Sequence, residues 1–187
     1  IRLIEKRDQA KPFFMYLSYN APHTPMHAKD EDLEKYPHIK KKSRRTYAAM
    51  VDNMDQNIGR FREYLKSKKL DQNTLIIFTS DNGCSPEAKF DVLTKKGHDP
   101  SGIFRGHKAD IFEGGHRVPF IVKWPTKIKA GQVSDALITS VDFYPTFIAL
   151  AGGNLPDGQA FDGKNIFPEL MGNDEDKERA LFWHYPV

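Results

Sequence analysis

Apolar side chains recur every three or four residues between Ser43 and Lys69. This spacing places them along one face of an α-helix, because about 3.6 residues complete one helical turn. The segment therefore predicts a long amphipathic helix, on which Asp55 is expected to be a buried polar anchor. The apolar positions of this face are Tyr47, Met50, Met54, Ile58, Phe61 and Leu65.

Two mostly apolar runs predict strands on either side of this helix. Pro12–Tyr19 is long enough for a strand buried on both faces, and Thr74–Thr79 is rich in β-branched residues. The order strand, helix, strand predicts a parallel unit. Val118–Trp124 predicts a third strand, Val133–Thr139 a weaker fourth, and Asp142–Ala151 a helix. The expected fold class is α/β, an incomplete parallel-sheet core with flanking helices.

Glycines and prolines divide the chain near residue 153. Gly152 and Gly153 end the preceding helix, and residues 154–163 form a connector rich in Pro, Gly and Asp. The last apolar run, Ala180–Tyr185, predicts a strand whose partners lie beyond residue 187. We expect an α/β domain portion over residues 1–153, then the connector and the start of a small C-terminal subdomain over residues 154–187. Since the chain starts without Met on a charged turn, we expect a piece of a longer protein.

Composition and charge narrow the classes of partner. The 187 residues carry 28 Lys and Arg against 25 Asp and Glu, a formal net charge of +3, which is too balanced for a general nucleic-acid or membrane binder. No apolar run approaches the ~20 residues that cross a bilayer, so no membrane span is expected. Cys84, the single cysteine, cannot form an intrachain disulfide. Because the net charge is so small, any preference for anions must come from a local group of basic residues.

Asp81 and Asn82 follow the Thr74–Thr79 run after one serine, Ser80, and precede Gly83. In a parallel sheet this is the edge that binds ligands. Carboxylate and amide oxygens favour calcium or magnesium, whereas a histidine at the second position would suggest zinc or a two-metal site. The alternative is a plain polar turn, for which Asp-Asn-Gly is a common sequence.

Two cations and a constrained histidine form the second set of candidates. Arg105 and Lys108 are three residues apart beside Gly106, and both side chains can contact the oxygens of a sulfate or phosphate. His23, held between two prolines, could donate a hydrogen bond to an anion or protonate a leaving oxygen. His107 is a second-tier candidate. Taken singly, each of these is more often a solvated surface residue.

Several short motifs, in this order, resemble the type I sulfatases of the alkaline phosphatase superfamily. The likeness covers nearly the whole chain, and its joint signal is far stronger than any one motif. The motifs are Ala21–Pro25, Phe78–Gly83, Arg105–Lys108, Glu113–Pro119, Trp124-Pro125, Asp142–Thr146 and Leu181–Tyr185.

The resemblance implies a role for each candidate. Asp81 and Asn82 would ligate calcium, with magnesium as an alternative, and His23 and Lys108 would hold the sulfate and its bridging oxygen. The residues that would line the substrate site are Arg105, His107 and Asn20. The substrate would be a small-molecule or saccharide sulfate ester, and the protein would be periplasmic, extracellular or lysosomal.

The chain departs from the family pattern at the nucleophile. Sulfatases carry a Cys-x-Pro-Ser-Arg or Ser-x-Pro-Ser-Arg segment whose first residue becomes formylglycine, together with a pair of aspartates that completes the metal site. Neither is found here, and Cys84 precedes Ser85-Pro86-Glu87. The formylglycine would have to come from upstream residues, so we expect no turnover by the chain alone. The alternatives are a metal-dependent phosphatase or phosphodiesterase of the same superfamily and a noncatalytic anion-binding module.

Overall fold

The computed structural model describes residues 1–173 and 178–184. The chain forms two compact units, Ile1–Gln72 and Asn73–Val187, and each is described by itself. In the described part of the chain, no helix combines the length and the apolar character that crossing a membrane requires.

The predicted long helix is confirmed to within two residues at each end. Its last turn closes with the N–H of Leu70 donating to the carbonyl of Leu65 at 2.9 Å, while Lys69 takes a left-handed φ of 56°. This is a Schellman ending, which satisfies carbonyls that would otherwise lack partners. The helices of the first unit are α1 (Arg2–Glu5), α2 (Asp30–Leu33) and α3 (Lys42–Ser67).

The core of the first unit uses only part of the apolar face of α3. Ala49 and Leu65 are fully buried, as is Ile4 of α1. Tyr47, which belongs to the predicted face, is half exposed. The prediction that Asp55 is a buried anchor is wrong, because its side chain is exposed.

Asp32 is the carboxylate that is buried, and it joins α2 to α3. Its two oxygens accept hydrogen bonds from Lys35 and Asn53, both at 2.7 Å. Lys35 also contacts Asp52 of α3 at 3.1 Å, and Gln56 donates to the same carboxylate at 2.7 Å. The contact between the helices is therefore a polar network whose buried charge is fully hydrogen bonded.

The strand predicted over Pro12–Tyr19 does not form. This segment has no regular secondary structure, and Phe14 and Tyr16 are 75% and 80% exposed. The first unit, all of whose residues are described, holds no strand that could pair with it. An extended segment without a ladder partner is not a sheet, however apolar its sequence.

The second unit holds a two-stranded sheet, β1 (Ile76–Thr79) and β2 (Phe120–Lys123). The two predicted strands at these positions are confirmed, but they pair antiparallel, with Ile76 opposite Lys123 and Thr79 opposite Phe120. The expected parallel unit is thus replaced by an antiparallel pair among the described residues. Neither strand is fully buried, since Phe78 and Ile121 are 43% and 61% exposed.

Short helices and loops make up the rest of the second unit. The predicted helix after Asp142 is confirmed as α6 (Phe143–Leu150), and a left-handed Gly152 (φ 74°) ends it. Val133–Thr139 forms no strand, and Val133 is 91% exposed. Residues 180–184 of the predicted last strand are irregular, and Tyr185 lies outside the described residues. The helices are α4 (Phe90–Thr94), α5 (Glu113–His116), α6 (Phe143–Leu150) and α7 (Phe167–Leu170).

A buried ion pair connects α6 with the C-terminal segment. The carboxylate of Asp142, fully buried, accepts two hydrogen bonds from Arg179 at 2.7 and 2.8 Å. It also accepts the backbone N–H groups of Thr139 and Lys164 at 2.8 and 2.9 Å. These contacts tie residues beyond 153 to α6, and the predicted division at residue 153 stays a prediction.

Candidate active site

Three glycines let backbone segments of the second unit cross at very short range. The N–H of Gly83 donates to the carbonyl of Gly115 at 2.9 Å. A Cβ on Gly83 would overlap the carbonyl oxygen of Gly114, and a Cβ on Gly114 would lie 2.7 Å from the carbonyl oxygen of Arg105. Side chains at these positions would force the segments apart, which explains why glycine occupies them. We call this arrangement the glycine crossing, defined by Gly83, Gly114 and Gly115.

The segment that carries Arg105 and Lys108 lies against the glycine crossing. The N–H of Lys108 donates to the carbonyl of Cys84 at 2.9 Å, and the N–H of Gly114 donates to that of Arg105 at 2.7 Å. Gly106, with a φ of 85°, makes the turn between the two cations. Cys84 comes two residues after Asn82, so this hydrogen bond connects the backbone of Lys108 to the segment that follows the Asp81-Asn82 turn. The structure brings the Asp81-Asn82 turn and the Arg105–Lys108 segment together.

Asp81 and Asn82 lie in the turn after β1 and keep oxygens available. Asp81 is exposed, and the Ser80 hydroxyl lies 3.4 Å from one of its carboxylate oxygens. The Asn82 amide donates through its nitrogen to the carbonyl of Gly83 at 2.8 Å, which leaves the amide oxygen to accept or to ligate a cation.

This donor set suits a hard cation but is incomplete. Within the part of the chain that the structure describes, no group of three or more His, Cys, Asp or Glu side chains could hold a metal ion. Calcium takes six to eight oxygens, and Asp81 and Asn82 supply two side chains. The oxygen ligands that these two side chains offer fit calcium or magnesium. Two side chains are too few to fill the coordination shell, so other ligands must complete it.

The two cations of the segment are held in different ways. The guanidinium of Arg105 lies 3.7 Å above the ring of Phe112, which covers one planar face and leaves the N–H edge for an anion. Lys108 is half-buried, and its ammonium pairs with no carboxylate among the described residues. A half-buried cation without a fixed partner suits the binding of an incoming oxyanion.

His107 is largely engaged by its own surroundings. Its Nδ1 donates to the carbonyl of Lys108 at 2.8 Å, and its ring lies beside that of Phe90, with centroids 5.1 Å apart. Its backbone N–H donates to the Asp110 carboxylate at 3.0 Å. Its Nε2 is the atom through which His107 could contact a substrate.

His23 and Asn20 belong to the first unit and share one turn. The N–H of His23 donates to the carbonyl of Asn20 at 2.9 Å, and both side chains are exposed. The Nδ1 of His23 contacts the carbonyl of Thr24 at 2.5 Å. Because a carbonyl only accepts, Nδ1 carries the proton, and Nε2 is the nitrogen that can exchange a proton with a ligand.

Cys84 has the wrong environment for a nucleophile. Burial raises the pKa of its thiol, and the hydrogen bond to the Ser85 carbonyl opposes this only in part. The thiolate is the reactive form. The structure therefore gives no support to a nucleophilic role for Cys84, in agreement with the sequence.

Two residues that shape the site were not singled out in the sequence. Phe112 supports Arg105, and the Asp110 carboxylate holds the loop that carries His107. An aromatic residue a few positions from an arginine and just before Gly114-Gly115 is a weak signal that could have pointed to the first. Nothing in the spacing distinguishes Asp110 from a solvated aspartate.

The turn with a carboxylate and an amide lies beside the segment with an arginine and a lysine, over a crossing that only glycine permits, and these four residues form the candidate oxyanion-binding site. The profile of the Sulfatase family matches residues 1–153, well over half of the chain. The chain belongs to the sulfatase family.

Individual relatives agree with this assignment. Steryl-sulfatase of Homo sapiens is 34% identical over 183 residues, covering 96% of this chain and 30% of that protein. The crystal structure of Ps i-CgsB in complex with k-i-k-neocarrahexaose is 40% identical with a TM-score of 0.77, covering 92% of this chain and 36% of that one. BT4656 in complex with its substrate D-glucosamine-2-N,6-O-disulfate is 32% identical with a TM-score of 0.57, covering 78% and 27%. The chain spans about a third of the length of these relatives.

Proposed function

We propose that the protein to which this chain belongs is a sulfuric ester hydrolase, which cleaves a sulfate ester to an alcohol and inorganic sulfate. The observation that carries the proposal is the glycine crossing, which holds the Asp81-Asn82 turn beside the segment of Arg105 and Lys108. Membership of the sulfatase family supports it.

Arg105 and Lys108 bind the charged end of the substrate. The N–H edge of Arg105 matches two oxygens of a sulfate, and Lys108 is a compact charge for a third or for the bridging oxygen. Negative charge grows on the bridging oxygen as the S–O bond breaks, so a cation fixed beside that oxygen lowers the barrier more than it stabilises the bound ester.

Asp81 and Asn82 would hold a calcium ion, with magnesium as the alternative. Such an ion supplies further charge neutralisation at the sulfate oxygens. The remaining metal ligands, the formylglycine and the parallel core of the sheet would come from parts of the protein outside this chain.

His23 assists the departure of the alcohol. With Nδ1 holding its proton on the Thr24 carbonyl, the protonated imidazole can give the Nε2 proton to the leaving oxygen as the ester bond breaks. Asn20, in the same turn, and His107, through Nε2, are proposed to contact the rest of the substrate.

We propose sulfated saccharides as the substrate class. The solved relatives include one bound to k-i-k-neocarrahexaose and one bound to its substrate D-glucosamine-2-N,6-O-disulfate. The site residues on this chain recognise the sulfate and leave the sugar to surrounding residues.

The test is sulfate release by the longest gene product that contains this chain, assayed with a saccharide sulfate and with the matching phosphate ester. Lys108→Ala should lower kcat/KM for the sulfate about 100-fold, the scale of losing one charge-stabilising contact. Lys127→Ala is the matched control, because Lys127 is an exposed lysine of the same unit, and it should leave the rate unchanged. The 187-residue chain alone should release no sulfate.

Two outcomes would redirect the proposal. Faster turnover of the phosphate ester would favour a metal-dependent phosphatase or phosphodiesterase, although Asn82 lacks the imidazole that two-metal sites commonly use. Binding of sulfate without turnover by the longer product would instead identify a noncatalytic anion-binding module.

A further inference from the structure

Trp183 stacks on His116 beside the glycine crossing. The ring centroids are 4.2 Å apart and the planes differ by 15°. The Nε2 of His116 donates to the carbonyl of Ile111 at 3.0 Å, which fixes the orientation of the imidazole. One face of the indole is therefore covered, yet Trp183 is 52% exposed.

The exposure of Trp183 is not explained by a role as an anchor. Arg179, four residues earlier, already fixes the C-terminal segment through Asp142 and through the carbonyl of Leu137 at 2.8 Å. An aromatic residue that only secured the segment would bury most of its surface. A half-exposed indole with one face held by a fixed imidazole is instead prepared to stack a second ring on its open side.

The stack lies next to the residues proposed to bind sulfate. His116 directly follows Gly115, and a Cβ on Gly115 would lie 2.6 Å from the carbonyl oxygen of His107, the neighbour of Lys108. Standard backbone dimensions then keep the Cα atoms of His116 and Lys108 within roughly 11 Å of each other. A ligand that places an anion on Lys108 can reach the indole with its adjoining ring.

We propose that Trp183 and His116 form a saccharide-binding subsite that stacks the pyranose ring carrying the sulfate ester, or the ring next to it. The C–H face of a pyranose is apolar and fits the indole, while its hydroxyl groups need polar partners. Residues on the open side of the indole would supply these partners, because His116 lies against the opposite face and serves to hold the indole in place. This subsite rests on the proposed function, since it completes the recognition of a sulfated sugar.

Tryptophan fluorescence gives a direct test. Trp124→Phe leaves Trp183 as the single tryptophan of the chain. In this variant, D-glucosamine 6-sulfate and unsulfated D-glucosamine should both change the emission, whereas inorganic sulfate should not. The same titrations of Trp183→Phe, in which only Trp124 emits, should show no change. An emission of Trp183 that ignores both sugars overturns the subsite.

Affinity measurements separate stacking from a structural role. Trp183→Ala should weaken the binding of D-glucosamine 6-sulfate about tenfold, the order of one aromatic contact, and leave that of inorganic sulfate unchanged. Trp183→Tyr, which keeps a ring, should restore most of the affinity. An equal loss for both ligands, or no loss for the sugar, would refute the subsite.

Failure of the proposed function would look different. If inorganic sulfate does not bind, or binds equally to Lys108→Ala, the sulfate-binding role of Lys108 is wrong. A response of Trp183 to the unsulfated sugar under those conditions would still support the saccharide subsite.

Discussion

The guanidinium carbon of Arg105 lies over the ring of Phe112, 3.7 Å from its centre. Phe112 is itself fixed, because it precedes α5 and its carbonyl accepts the N–H of Gly115 at 2.8 Å. The ring covers one face of the guanidinium and leaves its N–H edge open. Phe112 therefore sets the direction in which Arg105 presents its donors.

Phe112 is not expected to contact the anion, but its replacement should still weaken anion binding, because Phe112 orients Arg105. We expect Phe112→Ala to lower the affinity for inorganic sulfate about three- to fivefold, the scale of an exposed cation–π contact, and Phe112→Tyr to retain it. Phe104→Ala is the matched control, because Phe104 supports Arg117 in the same way, at 4.6 Å. Isothermal titration with sulfate measures all three variants, and equal losses in Phe112→Ala and Phe104→Ala would contradict the role of Phe112.

The glycine crossing should tolerate no side chain. A Cβ on Gly83 would overlap the carbonyl of Gly114, so Gly83→Ala must separate the two segments or break the hydrogen bond to Gly115. We expect a loss of about 2–3 kcal/mol in the free energy of unfolding, from overpacking and a lost backbone bond. Chemical denaturation followed by circular dichroism measures it.

Gly59→Ala is the control for this prediction. Gly59 lies inside α3, and a Cβ there would meet nothing within 4 Å. Since alanine is the better helix former, the variant should be more stable by about 1 kcal/mol. If Gly83→Ala were as stable as Gly59→Ala, the crossing would not depend on glycine.

Local patterns were predictable from the sequence, and pairing was not. The apolar residues of α3 recur every three or four positions along the sequence, so the bounds of the helix could be predicted from them. Whether Pro12–Tyr19 forms a strand depends on a distant partner, and the antiparallel pairing of Ile76 with Lys123 depends on the route of the intervening loop. Neither is encoded in a local period.

The candidate site divides in the same way. The short motifs indicated that Asp81, Asn82 and Lys108 belong to one site, and the backbone bond between Lys108 and Cys84 places their segments together. The contact between Phe112 and Arg105 could not be predicted from the sequence, because it depends on side-chain geometry across a turn. The stacking of Trp183 on His116 could not be predicted from the sequence for the same reason.

The ion pair between Asp142 and Arg179 should be a main support of the second unit. Burial raises the pKa of Asp142, but hydrogen bonds from Arg179 and from the N–H groups of Thr139 and Lys164 outweigh it, and the net pKa is lowered. Asp142→Asn leaves the guanidinium buried without its counter-charge, and we expect a loss of about 3 kcal/mol in the free energy of unfolding. Guanidinium denaturation tests this, with the exposed Asp157→Asn as the control that should change little.

The double variant Asp142→Asn with Arg179→Met separates the ion pair from general damage. Removing both charges leaves no uncompensated cation, so part of the lost stability should return. Additive losses in the double variant would show that Asp142 acts through its backbone contacts and not through the ion pair.

The network around Asp32 should make the first unit sensitive to acid. The hydrogen bond from Lys35 lowers the pKa of Asp32, and with the bond from Asn53 it outweighs the opposing effect of burial. A carboxyl with a lowered pKa in the folded state stabilises the fold above its unfolded pKa of about 4. That contribution is lost as the pH falls through the folded pKa.

Asp32→Asn should therefore flatten the dependence of stability on pH below about pH 4. Urea unfolding between pH 2 and pH 7, followed by the helical signal, measures this, and the exposed Asp55→Asn on α3 should keep the wild-type profile. Superimposable profiles for Asp32→Asn and the wild type would show that this carboxylate does not link the fold to pH.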